Sequence, residues 1–376
     1  MTERYFDHHT TQPLGAAARR ALEDALDRFG DPMRAHERGR AAHRALDDAR
    51  EAIAGAISAQ PDEIVFTSGG TESVSLALLG SAGSASEGRV VVGSVEHPAV
   101  LGAAGVLAGR GLEVAHVPVD EHGRVDVDRF AEEVRRPGTI AASVQHANHE
   151  VGTMQPVAEA AMLAREAGVA FHTDACQTVG RLPVDVGALG ADLLSLSAHK
   201  FGGPPGTGAL YVRRGVRMWS VLAGDDRERR RRAGTQHVGS IGAMAAALRA
   251  SSAELGDRAA RDWSLTTRLR RGLESVPGAR LHGHPTQRTP HLVCFSVADV
   301  EVEVVLMALD DRGFRVDAGS VANGSPHEPS PVLAAMGSPD TVGIRASVGP
   351  GTTEGDVDAL TSAWAELVDK LSRMPS

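Results

Sequence analysis

Aromatic residues make up only 3% of this 376-residue chain, so its core has to be built mainly from alanine, valine and leucine. Cysteine is scarcer. Cys176 and Cys294 stand far apart with no CxxC pair, which argues against a disulfide framework and a zinc–thiolate centre. Sixteen histidines invite a metal reading, yet no HExxH or paired His/Cys spacing supports one. No stretch approaches the roughly 20 apolar residues of a membrane span. The start, Met1-Thr2-Glu3-Arg4-Tyr5-Phe6-Asp7, shows no apolar signal core, so the cytoplasm is the default compartment. A formal charge of -9 argues against nucleic-acid binding as the main business of the chain. The one basic run, residues 227–232 with Glu228 inside it, reads as a solvated loop, a phosphate contact or a subunit contact.

What is present is an ordinary globular composition, 42% hydrophobic and 23% charged, over a length that suggests roughly two domains. Short apolar runs alternate with alanine-rich helical stretches over residues 16–255. Strands are expected at residues 64–67, 89–92, 139–144, 169–172 and 192–195, with helices at 72–79, 99–108 and 157–167. Continuous apolar strands separated by helices point to a mostly parallel sheet covered on both faces. A smaller α+β unit is expected from residues 256–376, joined by residues 1–15.

Lys200 closes an apolar run at the lip of a glycine-rich turn, in Ser197-Ala198-His199-Lys200-Phe201-Gly202-Gly203. An amine there can be held against a bound aldehyde, as in a pyridoxal phosphate enzyme; a surface lysine at a strand end is the commoner alternative. Its company decides. Phe66-Thr67-Ser68-Gly69-Gly70-Thr71 is a strand, a glycine turn and a helix start, so Gly70 and Thr71 suit a phosphate, although Thr71 also reads as a simple N-cap. Asp174 follows a buried strand, where an unpaired carboxylate is costly; a protonated pyridine nitrogen or a helix cap would satisfy it. His97 also ends a strand and fits ring stacking, proton transfer or a purely structural role. Arg345, inside an apolar strand, needs a partner: a substrate carboxylate or a structural salt bridge.

Together these motifs identify a resemblance to the cysteine desulfurases, in the class V branch of fold-type I pyridoxal phosphate enzymes. It extends nearly end to end, from Tyr5-Phe6-Asp7 through Glu96-His97-Pro98, Glu150-Val151-Gly152, residues 172–177 and 195–200, and Arg232-Ala233-Gly234-Thr235 to Ile344-Arg345. The resemblance implies an α/β fold with a large, mostly parallel domain and a smaller α+β domain. It implies that Lys200 carries the cofactor covalently, Asp174 pairs with the pyridine nitrogen, Gln177 touches the phenolic oxygen and His97 stacks on the ring. Thr71, Ser197 and His199 would hold the phosphate, with Thr235 supplied by the second subunit of a homodimer. Arg345 would take the α-carboxylate of an amino-acid substrate.

Two departures stand out. The family's sulfur-accepting cysteine lies shortly before Glu-Pro-Ser, and counting back from Glu328 places Ala322 there. A methyl group cannot attack sulfur. Cys176, close to Asp174, and Cys294, in an apolar strand, both read as packing residues rather than substitutes. The second departure is Asn148-His149-Glu150, with His149 where a second asparagine is usual; an imidazole there offers an extra acid or base, or merely preserves a hydrogen bond. The leading expectation is therefore carbon–sulfur cleavage of cysteine or a cysteine derivative without a protein persulfide. Desulfuration onto an external thiol or a sulfur-acceptor protein, transamination, and a non-catalytic regulatory role are the alternatives.

Overall fold

Strand residues that alternate between two apolar faces can only be satisfied by packing on both sides, and this requirement sets the architecture. The computed structural model describes residues 3–297, 302–318 and 329–372. Seven strands, β1 (Ile64–Thr67), β2 (Arg89–Gly93), β3 (Glu113–Val117), β4 (Thr139–Ser143), β5 (Ala170–Asp174), β6 (Leu193–Ser197) and β7 (Gly208–Val212), form one sheet in the order β1-β7-β6-β5-β4-β2-β3. All pairings are parallel except those of β7, which runs antiparallel to both β6 and β1.

Ile64 and Phe66 of β1 pack with Leu194 and Leu196 against helices α1 (Ala16–Leu26), α2 (Glu37–Ala56) and α7, defined below. On the opposite face Val65, Leu193 and Leu210 meet Leu76 and Ala77 of α3 (Gly70–Ala82). Helix α4 (Pro98–Gly109) covers Val90 and Val92, while α5 (Val127–Val134) and α6 (Val157–Glu166) cover Val91, Ala142 and Phe171. The result is a three-layer sandwich.

Helix α7 (Val238–Ala253) ends one residue before α8 (Leu255–Glu274), with Glu254 between them. A second sheet follows, with β8 (Ala279–His282), β9 (Leu292–Val297), β10 (Asp317–Ala318) and β11 (Ile344–Ser347) in the antiparallel order β10-β11-β9-β8. Its core joins Leu265, Leu269 and Leu273 of α8 to Val357, Leu360 and Trp364 of α9 (Glu354–Ser372). Trp364 stands edge-on to Phe295 at 4.9 Å, one of the few aromatic pairs in the chain. Phe6 is buried in this second core, and Asp7 bridges to Ser347. We place the boundary between the two units at the α7–α8 junction. No helix of the described residues is long and apolar enough to cross a membrane.

Two strands of the large sheet, β3 and β7, escape the sequence pattern. Strand β3 is an edge strand carrying Glu113 and His116, so it lacks the continuous apolar run of a buried strand. Strand β7 follows the glycine-rich turn after Lys200 as the second arm of a hairpin, so the sheet is mixed at this end.

Candidate active site

In an open α/β sheet the carboxyl ends of the strands face one crevice, and the polar residues that terminate the apolar runs collect there. A cavity of ≈ 260 Å³ lies at this end. Gly70 and Thr71 enter from the β1–α3 turn, His97 from the start of α4, and Gln145, Ala147 and His149 from the loop after β4. Asp174, Cys176 and Gln177 follow β5, while Ser197, His199 and Lys200 follow β6. His9 and Thr10 close the wall from the N-terminal segment. The structure thus brings together Lys200, Asp174, His97, His149, Gly70, Thr71, Gln177, Ser197 and His199. His9, Thr10, Gln145 and Ala147 were not foreseen; Gln145 does follow the expected strand at 139–144, while His9, Thr10 and Ala147 end no apolar run.

Lys200 Nζ donates to the His9 carbonyl at 2.8 Å. Burial pushes this amine down to about 8, so a substantial neutral fraction exists near physiological pH. Asp174 Oδ1 accepts from the Cys176 N–H and from Ser195 Oγ, each at 3.0 Å. His97 is the N-cap of α4, its Nδ1 accepting from the Ala99 N–H at 3.1 Å. His149 stands edge-on to it, ring centroids 5.0 Å apart. Burial lowers both imidazoles, and His149 is lowered further by His97 and Arg345, so the pair is neutral.

The loop that carries His149 is pinned by Asn148, whose Nδ2 donates to the Val95 carbonyl at 3.0 Å. Its Oδ1 accepts from the Glu150 and Val151 N–H groups, both at 2.8 Å. Glu96, pushed up to about 8 by burial, accepts from the Gln145 N–H at 2.6 Å and ties this loop to β2.

The N-terminal turn of α3 leaves helical N–H groups without intrahelical partners. It opens at Gly69 with φ 152°, a backbone that favours glycine. A Cβ on Gly70 would stand 2.6 Å from Cys176 Sγ, so any larger residue in this turn has to displace that side chain. Gln177 Oε1 is buried with no partner, while its Nε2 donates to the His9 carbonyl at 3.1 Å. An occupant with matching polar groups would satisfy it.

Thr235, expected at the site of a second subunit, and Arg345 are outside the lining of this cavity. Thr235 is exposed and does not line the cavity. Its segment is held by Glu228, which is buried and accepts from Arg50, from the Phe66 N–H and from Gln236. These bonds sustain the left-handed backbone at Glu228, Arg229 and Arg230. Arg227 pairs with Asp31 at 2.8 Å and Arg232 with Glu72 at 2.8 Å, so residues 227–232 are a braced corner rather than a simple solvated loop. Arg345 lies behind the cavity wall, 1% exposed, and its Nη2 is bonded to Asp317 Oδ2 at 2.6 Å.

Neither cysteine is poised as a thiolate. Burial raises the Cys176 thiol well above its ordinary range, with Asp174 adding to the effect, and it pushes Cys294 up to about 12. Ala322, the residue at the expected sulfur-acceptor position, lies outside the described residues.

Residues 4–360 match the family model described as Aminotransferase class-V. The chain is similar to the cysteine desulfurase IscS of Methanosarcina thermophila, 39% identical over 98% of this chain and 93% of that protein. Similarity to the cysteine desulfurase IscS of Dictyoglomus turgidum is 40% identity over 98% and 95%. A solved NifS-like protein superposes with a TM-score of 0.91 at 30% identity, covering 98% of this chain and 100% of its own.

Proposed function

The chain belongs to the aminotransferase class-V family, alongside the cysteine desulfurases, and from that premise we propose that it cleaves the carbon–sulfur bond of cysteine or a cysteine-derived amino acid. The cofactor of this reading is pyridoxal phosphate, and sulfur passes through no cysteine of the chain itself. The observation that carries it is Lys200, an amine lowered to about 8 in a cavity that also holds Asp174 and the N-terminus of α3.

The residues fit the cofactor. The close approach at Gly70 suits a phosphate, the unpartnered Gln177 Oε1 needs a polar neighbour, and the buried Asp174 suits a cationic ring nitrogen. Thr71, Ser197 and His199 would hold the phosphate beside Gly70. Asp174 would face the ring nitrogen, Gln177 the phenolic oxygen, and His97 the ring. When bound, the cofactor supplies an aldehyde that captures amines and a ring that takes up electrons from Cα. Lys200 Nζ would hold it covalently and, when free, would serve as the base for the Cα proton. His149, kept neutral by burial beside His97, is a weak proton acceptor and would serve the site chiefly through a hydrogen bond. Arg345 would hold the α-carboxylate. Thr235, exposed on its braced corner, would reach the phosphate of a second subunit in a homodimer.

Cys294 is buried, Cys176 is a partly exposed residue of the cavity lining, and both thiols are held in the protonated form, which supports sulfur leaving directly or to an outside thiol. The similarity to cysteine desulfurases favours, as a second reading, transfer to an external or partner thiol with alanine as product. Incubating the holo-protein with L-cysteine, cystine and cysteine sulfinate, then measuring alanine, pyruvate and released sulfur, separates the readings. Pyruvate supports elimination. Alanine formed from cysteine only with added thiol supports external transfer. No sulfur product from any of the three, with the cofactor still bound, defeats the proposal.

A further inference from the structure

Behind the lysine wall, two carboxyl groups share one guanidinium. Arg345 donates to Asp317 Oδ2 through Nε at 2.9 Å and through Nη2 at 2.6 Å, while its Nη1 stands 3.5 Å from Glu150 Oε2. Asp317 Oδ2 is also 3.4 Å from Nε2 of His9, a residue of the cavity wall. His9 Nδ1 is 3.2 Å from Asp7 Oδ1. Asp7, His9 and Asp317 bring their ligand atoms within 4.8 Å of one another, and Arg345 supplies the cation that this cluster requires.

Burial lowers His9 to about 4, so it adds no positive charge at neutral pH. Burial opposes ionisation of Asp317, but the bond from His9 and the charge of Arg345 hold it well below the usual carboxylate range. The single cation of Arg345 is therefore already matched before any substrate arrives. A third carboxylate brought to it meets repulsion instead of a free charge.

The two partners are not equivalent. Glu150 is 1% exposed and also accepts from Ser330 Oγ. The Asp317 side chain is 32% exposed and sits on the two-residue strand β10. Asp317 is the one with a route to solvent.

Resting on the reading that Arg345 receives the substrate α-carboxylate, we propose that Asp317 fills that seat in the free protein and is the residue that sets selectivity between free amino acids and their amides or esters. An incoming carboxylate must exchange with Asp317, which turns toward water. A substrate without a free carboxylate is spared the exchange, so the wild-type protein discriminates weakly against it. Removing the charge of Asp317 leaves the guanidinium to the ligand and restores strong preference for the carboxylate.

The test is titration calorimetry of L-alanine and L-alaninamide against the holo-protein, its Asp317→Asn variant and its Asp317→Ser variant, with unfolding temperatures measured in parallel. Neither ligand contains sulfur, so binding is read apart from carbon–sulfur cleavage. Both variants are expected to bind L-alanine about tenfold more tightly than wild type, with alaninamide changed by less than about twofold. Unchanged or weaker L-alanine binding in both variants would make Asp317 merely structural and overturn the proposal, as would an equal shift of both ligands. Absence of L-alanine binding in all three proteins also overturns it. Tighter L-alanine binding by proteins that release no sulfur from cysteine, cystine or cysteine sulfinate would defeat the cleavage reading and leave this one standing.

Discussion

Lys200 and His9 meet through a main-chain bond, the lysine amine donating to the histidine carbonyl at 2.8 Å across 191 positions of sequence. Among the described residues the amine has no counter-ion in direct contact, and burial outweighs the attraction of Asp174 and Asp7. This is the environment that makes a lysine nucleophilic near neutral pH.

The rate at which the cofactor-free protein takes up pyridoxal phosphate should therefore rise with pH through about 8, where Lys200 loses its proton, and not near 10.5. Stopped-flow absorbance across pH 6 to 11 reads this directly. Lys200→Ala should lose about 10³-fold or more of sulfur release while keeping the fold. A loading rate that climbs only above pH 10 would mean that the amine is solvated.

Gly70→Ala should weaken cofactor retention about tenfold, because the new methyl would stand 2.6 Å from Cys176 Sγ. The same methyl lies 4.0 Å from Cys176 Cβ, an ordinary contact. Cys176→Ala in the same protein should then recover most of the loss. Equilibrium dialysis of the single and double variants checks the pair, and failure of the second change to help would place the cause elsewhere.

Replacing both cysteines, as Cys176→Ala with Cys294→Ala, should leave carbon–sulfur cleavage within about threefold of wild type if no thiol of the chain carries sulfur. Loss of activity in a variant that still binds cofactor and melts cooperatively would restore a persulfide to the mechanism.

Stability should fall as pH drops from 6.5 toward 4. Burial lowers His9, His146, His172, His199 and His282 from 6.5 to about 4 in the folded chain. In that window the unfolded chain binds more protons, so folding is favoured above 6.5 and progressively loses ground below it. Asp7, raised to about 6, and Glu96, raised to about 8, act in the opposite sense but are fewer. A melting temperature lower by roughly 5 °C or more at pH 4.5 than at pH 7 is the expected reading by calorimetry. A flat profile would show that these imidazoles reach water.

Much of the site was legible because Lys200, Asp174 and His97 are polar residues that end apolar runs, and the parallel sheet gathers such ends at one edge. His9 and Asp317 were not, since they reach the site from the N-terminal segment and from β10 and belong to no periodic pattern. Arg345 was recognised as a buried cation in need of a partner. Only the folded chain shows that Asp317 and Glu150 already stand beside it. Strands β3 and β7 were missed for a related reason: edge position and a tight hairpin replace the apolar run that marks a buried parallel strand.

The hairpin from β6 to β7 has one more consequence. The loop bearing Lys200 is closed partly by its own hairpin, with the Ala198 N–H bonded to the Thr207 carbonyl at 3.0 Å, and partly by the amino-terminal segment, whose Gln12 and Gly15 N–H groups bond to the His199 and Gly202 carbonyls at 2.9 and 2.8 Å. The same segment supplies the wall of His9 and Thr10 and the carbonyl that receives the lysine amine, so one stretch of backbone both shapes the loop and sets the amine's surroundings. Position and reactivity of the lysine are thus tied to one docking event, and a change that loosens residues 9–15 disturbs both at once.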